Sequence, residues 1–416
     1  MTKKQSVFWI LASTFTLISG CSEFLIKEKP EMFQVEDLDL PTRKLQPENY
    51  KKDVYLLLYA LDNAYPPALS GDRVEYKKLR SHLEEMFKNK DVMMASQFCR
   101  ELDDRLADFP DNHLTASIGA GMSCSLKRSK EPGHVGSNVT AETEVWSLKE
   151  LPIGKHKVPV LSIRHFEFKE SSAWKGFLDS VEEIKNTAPA LIIDVRGNSG
   201  GDSYMAERLS EILYGAKPPQ KRKSLEVQTP EAVQLERNFY QLKASQQFLT
   251  RGSIPAYLTH KLFELDTKLE QAKKNELAKF KLLVTFQETS AKENPSFSEE
   301  TGFAKPIFIL QDKICASSCE GLLEDLESHP YVTTVGENSK GSIHYGNVRS
   351  LTLPITGVMV QIPTKSFQYN DGRFLEKIGY KPKVQIPQDE DALEWAKKNI
   401  FSKAKTSTKN SEKKTK

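Results

Sequence analysis

A short apolar run that collides with a glycine-rich turn constrains this chain more than any other stretch. Leu191, Ile192, Ile193 and Val195 read as a strand buried on both faces, the kind found in parallel sheets. Gly197, Gly200 and Gly201 follow at once and allow conformations that a β-carbon forbids, so several N–H groups can point outward together. Met205, Leu209, Ile212 and Leu213 then recur at helical spacing. The unit is strand, glycine turn, helix, and it implies an α/β fold. The carboxyl end of a parallel strand is where such sheets place ligands, and clustered N–H groups there can meet a developing negative charge. On its own the pattern also serves as a plain strand-to-helix connection.

The rest of the chain divides around this unit. Residues 47–108 read as an N-terminal helical region, a small bundle or a cap: Val54, Leu57, Leu58 and Leu61 share one face, and Met94, Phe98, Leu102 and Leu106 another. The α/β pattern occupies 109–216 and returns over 303–400. Val158 to Phe166, Ile307 to Leu310 and Tyr331 to Val335 read as strands, Ala173 to Ile184 as a helix, and Leu351 to Phe367 as a hairpin about Ile355-Thr356-Gly357. Between the two halves, 217–302 reads as a helical insertion with a helix start at Thr229-Pro230-Glu231.

The two ends read as targeting and solvated segments. Lys3 and Lys4, the apolar run Val7 to Ile18 and Leu17-Ile18-Ser19-Gly20-Cys21 form a leader over 1–20 that resembles a bacterial lipobox. That resemblance implies cleavage before Cys21, lipidation of its thiol and a tether over 21–46. Ser22, in place of an aspartate, favours an outer-membrane anchor facing the periplasm. The tail 401–416 holds six lysines against Glu412 and reads as disordered. The net charge of +3 is thus carried by the ends, and nothing suggests a nucleic-acid partner. Cys99, Cys124, Cys315 and Cys319 remain for two disulfides in an oxidising compartment, with three connectivities open. Cys-x3-Cys with no histidine beside it is a poor metal signal, and no metal or other cofactor is expected.

Ser317 stands where a strand ends and a helix begins. Ser317-x-x-Glu320 is a capping box, worth about 1 kcal/mol without any catalysis. The same place suits a nucleophile, because the helix N-terminus favours negative charge and the Ser318 N–H can bind an oxyanion. A serine needs a base, and His113, in the turn Phe109-Pro110-Asp111-Asn112-His113, is the candidate.

Together these pieces resemble the C-terminal processing (tail-specific) serine peptidase family. Asp194-Val195-Arg196-Gly197-Asn198-Ser199-Gly200-Gly201 is similar to its Asp-x-Arg-x-Asn-x-Gly-Gly signature, Ala316-Ser317-Ser318-Cys319-Glu320 to its nucleophile turn, and Val335-Gly336-Glu337 to its next strand end. The resemblance implies a crotonase-like (ClpP/crotonase) peptidase core and acyl transfer on a polypeptide substrate. In one branch a lysine base follows the Val-Gly-Glu glutamate by five residues; here that position is Ser342, and Lys340 comes two residues early. The branch that includes the tricorn core uses a histidine in an Asp-x-His context and a late glutamate, which Asp111-Asn112-His113 and Glu376 fit, with Asn112 where tricorn has a serine. The interval from His113 to Val158 leaves no room for a PDZ domain. The resemblance thus implies Ser317 as nucleophile, His113 as base, Glu376 as the imidazolium's partner, and Gly200 or Gly201 with Ser318 as oxyanion donors. Lys340 is the alternative base, and a non-catalytic peptide-binding or scaffolding relative is the alternative function.

Overall fold

Alternate residues of the Leu191–Asp194 strand leave on opposite faces of a six-stranded sheet in the computed structural model of the chain. Leu191, Ile193 and Val195 enter one core with Ile307, Ile309, Leu209, Leu213, Leu322 and Leu326. Ala190 and Ile192 enter a second with Phe308, Leu310, Val335 and Ala396. The run is continuously apolar because both faces are covered by helices: Phe177–Thr187, Tyr204–Tyr214 and Ser318–Leu326 on the first, Ala392–Asn399 on the second. The structure describes residues 42–70, 73–118, 122–125, 144–279, 284–287, 297–387 and 390–402. The expected leader, Cys21, most of the tether and nearly all of the tail lie outside them.

The sheet order is Val384–Gln385, Val332–Gly336, Ile307–Gln311, Leu191–Asp194, His156–Ile163, Trp146–Ile153, parallel throughout except for the last pair. Ile192 faces Phe308 on one side and Val160 on the other. Three strands whose carboxyl ends carry the sequence motifs are therefore adjacent. Their turns, 195–203, 312–317 and 337–344, emerge at one edge, which is how distant motifs become one site.

A second sheet is antiparallel, ordered Met122–Ser123, Thr115–Ile118, Met359–Tyr369, Arg222–Val227, Val284–Gln287, with Tyr345–Thr352 also paired to Met359–Tyr369. The N-terminal helices do not stand apart as a bundle. Leu57, Leu61 and Phe98 share one core with Leu351, Val360 and Ile362 of this sheet, and Asp53 accepts the N–H groups of Ile355 and Thr356 at 3.3 and 2.7 Å. Cys99 is bonded to Cys124, and Cys315 to Cys319.

Two further expectations are corrected. The insertion 217–302 is not wholly helical: its two helices, Pro230–Arg251 and Ala256–Lys279, are flanked by Arg222–Val227 and Val284–Gln287, which extend the second sheet. Leu225 and Val227 are buried two apart, so period-two patterning was present but short. The helix expected over 173–184 is split: Ser172–Trp174 is a single 3₁₀ turn, Gly176 at φ 76° reverses the chain, and the α-helix starts at Phe177.

Candidate active site

Asp194, Arg196, Asn198 and the glycines divide the work of the Asp194–Gly201 turn. Asp194 accepts a fork from Arg196 at 2.8 and 2.9 Å and a further bond from Arg164 at 3.2 Å. Asn198, fully buried, donates to the Ile163 carbonyl at 3.1 Å and accepts from the Gly200 N–H at 2.8 Å. Gly200 and Gly201 sit at φ 98° and 136°. A β-carbon on Gly201 would lie 1.9 Å from the Phe166 carbonyl oxygen; on Gly200 it would lie 2.6 Å from the Ala316 oxygen and 2.8 Å from Ser317 Cβ. The glycine turn is thus pressed directly against the serine turn.

Asp312 shapes the approach to Ser317. One carboxylate oxygen accepts from Ile314 and Cys315, and the other from the Gly197 N–H at 3.0 Å, while the Ala316 N–H reaches the Asn198 carbonyl. Ser317 itself sits at φ 56°, ψ −118°. An ordinary N-cap serine is extended, so capping alone does not account for this backbone. Strain of this type costs about 1–3 kcal/mol and persists where its surroundings over-determine it. Here those surroundings are Gly200, the buried Cys315–Cys319 bridge on either side and Glu320.

Glu320 is a hub as well as the capping partner. Its carboxylate, completely buried, accepts from the Ser317, Gly341 and Ser342 N–H groups and from the Ser339 hydroxyl at 3.2, 2.7, 2.6 and 2.6 Å. Burial pushes its pKa up; the hydrogen bonds oppose that shift. Ser342, at the lysine position of the other branch, is thereby tied by its backbone to the serine turn. Lys340 donates its own N–H to the Cys315 carbonyl at 2.8 Å.

The His113 turn is built on Asp111. This buried carboxylate accepts from the His113 and Leu114 N–H groups and from the Tyr65 hydroxyl, at 2.8, 3.3 and 2.7 Å. His113 Nδ1 lies 3.9 Å from Asp111 Oδ1. Glu376, also buried, accepts from the N–H groups of Asn112, Ile343 and His344 at 2.8, 3.1 and 3.0 Å. Burial, then the neighbouring Asp111, pushes the Glu376 carboxyl up to about 8. A ring nitrogen of His113 and one oxygen from each carboxylate lie within 4.8 Å of one another. That spacing is within a cation's reach; the N–H and O–H donors on both carboxylates fix their positions beside the imidazole.

The two halves are joined by a relay of hydrogen bonds. Asn112 Nδ2 donates to the Gly341 carbonyl at 2.7 Å, the Gly341 N–H donates to Glu320, and Glu320 accepts from Ser317. The residue that departs from the tricorn pattern is therefore the one that ties the histidine turn to the serine turn. Of the proposed oxyanion donors, Gly200 has spent its N–H on Asn198; among the described residues, those of Gly201 and Ser318 have no acceptor. Sequence reading missed Asp111 as a group in its own right, Asn112 as a tie and Glu320 as a hub. Asp-x-His spacing and the capping box were the available signals.

Residues 157–386 match the family model Peptidase family S41. The chain belongs to peptidase family S41. This makes it a serine-type peptidase of the C-terminal processing family, acting on polypeptides. The match takes in the glycine turn, Ser317 and Glu376, and begins after His113. No curated protein matches the chain. Among solved structures, mature CPAF is similar at 14% identity and a TM-score of 0.52, over 82% of this chain and 93% of that one. Mature CPAF complexed with lactacystin is similar at 14% identity and a TM-score of 0.51, over 87% and 98%. At such identity the likeness is one of fold, and it extends beyond the family match to nearly the whole of those chains.

Proposed function

We propose that this S41 peptidase is a lipid-anchored endopeptidase of the bacterial cell envelope that cleaves through Ser317 with His113 as general base. The observation that carries the base assignment is the relay Asn112–Gly341–Glu320–Ser317, which fastens the histidine turn to the serine turn by backbone-directed bonds. Ser317 Oγ attacks the peptide carbonyl carbon as its proton passes to His113. The carbonyl oxygen becomes an oxyanion between the N–H groups of Gly201 and Ser318. His113 then gives the proton to the leaving amine as the C–N bond breaks, and water enters by the same route to release the acyl group. Asp111 and Glu376 together favour the imidazolium. Their closeness raises the cost of ionising both carboxyls in the resting enzyme, and a positive ring between them lowers it.

The anchor rests on the leader and Cys21. Among the described residues no helix is long and apolar enough to cross a membrane. Cys21 with an outer-membrane destination places the site in the periplasm, where Cys99–Cys124 and Cys315–Cys319 persist as disulfides.

Active-site labelling tests the serine assignment. Incubated with a fluorophosphonate, the intact chain is expected to take one label, on the tryptic peptide containing Ser317. His113→Ala is expected to slow labelling by about a hundredfold or more, the scale of a lost general base. Label on another serine, or equal rates in the two proteins, contradicts the assignment.

A further inference from the structure

His344 has no place in the chemistry above, yet its polar atoms are committed to the loop that carries Glu376 and to the strand beside it. Its N–H donates to Glu376 Oε2 at 3.0 Å, and its Nε2 accepts from the Leu375 N–H at 2.9 Å. On the other side it exchanges two bonds with Phe367: the Phe367 N–H reaches the His344 carbonyl at 2.7 Å, and Nδ1 faces the Phe367 carbonyl at 3.0 Å. A backbone N–H only donates and a carbonyl only accepts. The ring therefore carries its hydrogen on Nδ1 and none on Nε2, a single neutral tautomer fixed from both sides.

His344 as a residue is 5% exposed, with Phe374 at 4.6 Å and Tyr369 at 5.2 Å between ring centroids. The charged groups around it are Glu376 on its own loop contact, Arg222 from the adjoining strand and Arg373 from the 371–379 loop. Arg222 is paired with Glu324, and Arg373 with Glu327 and Asp371. Burial lowers the pKa of His344; the Phe367 carbonyl opposes this, and the two arginines add to it.

We propose that His344 is a positioning residue that holds Glu376 beside His113, and that a proton taken up at His344 Nε2 releases Glu376 and switches the peptidase off. The inference rests on the Ser317–His113–Glu376 reading above. Once Nε2 carries hydrogen, two donors face each other at the Leu375 contact, and a full positive charge is buried near Arg222 and Arg373. The Leu375–Glu376 backbone must move away, and the carboxylate beside His113 moves with it.

Two readouts test this. In resting protein, NMR of selectively labelled histidine and leucine should show the Leu375 amide shifting with the same midpoint as the His344 ring, because the amide loses its acceptor. In turnover, kcat/KM of the parent should fall on the acid side with one proton more than that of His344→Gln, about tenfold more per pH unit, over the range in which circular dichroism is unchanged. His344→Gln keeps one acceptor and one donor but does not titrate. It should hold most of the plateau rate and lose that extra proton from its acid limb. An amide that stays put while His344 titrates, acid limbs of equal slope in the parent and His344→Gln, or loss of the plateau in a folded His344→Gln overturns the proposal. Absence of any turnover by the parent instead counts against the peptidase mechanism, and the NMR readout still decides the His344 linkage.

Discussion

Replacing His113 by alanine is expected to lower kcat by about 10⁴-fold or more, the scale on which a serine peptidase loses activity when its base is removed. KM should change little, because the imidazole moves a proton and does not bind the chain. The fold should survive, since the turn is held by backbone N–H groups of residues 113 and 114 on Asp111, and alanine keeps both bonds. Lys340→Ala is the necessary companion. Its backbone N–H already bonds the Cys315 carbonyl, and that bond is indifferent to the side chain. With a histidine base, turnover of Lys340→Ala stays within a few-fold of the parent. Steady-state hydrolysis of one peptide by the three proteins decides it: loss with Lys340→Ala and not with His113→Ala reassigns the base to lysine.

Gly200→Ala is expected to damage both stability and activity. The added carbon lands 2.6 Å from a backbone oxygen and 2.8 Å from Ser317 Cβ, at φ 98°, so no flexible side chain can yield. Strain and overpacking together should cost about 2–5 kcal/mol. Because the atoms that must shift belong to the nucleophile turn, turnover should fall by about a hundredfold even where the protein is folded. Gly197→Ala separates the two causes. Gly197 is also at positive φ, 78°, but a carbon there meets nothing within 4 Å. It should pay only backbone strain, about 1–2 kcal/mol, and keep most of its activity. Denaturant melts with parallel peptide assays on the two variants check this; equal effects on turnover mean that contact with Ser317 is not what Gly200 provides.

The parallel sheet was legible because its strands are buried on both faces and so read as unbroken apolar runs: 191–195, 307–310 and 331–335. Trp146–Ile153 was not, since it is an edge strand whose residues are mostly exposed or half-buried, and nothing in Trp-Ser-Leu-Lys-Glu-Leu-Pro-Ile alternates cleanly. The N-terminal helices were legible as helices, but the sheet that shares their core joins Thr115–Ile118 to Met359–Tyr369, a strand more than 200 residues away, which no local pattern reports. At the site, Ser317, His113 and the glycine pair stood out as residue types in unusual settings. What escaped was the wiring: Asn112 looked like a departure and is a tie, and Glu320 looked like a cap and is a hub. Hydrogen bonds across 229 and 264 residues, as from Asn112 to Gly341 and Glu376, leave no periodic trace in a sequence.

The most direct test of the central claim is the cleavage map of the intact chain against the same chain with Ser317→Ala. Denatured proteins and a peptide library are incubated with each, and new termini are read by mass spectrometry. The account predicts termini made by the parent and absent with Ser317→Ala, whose unfolding transition should match that of the parent. Identical maps from two folded proteins contradict it and move the chain to the non-catalytic, peptide-binding reading.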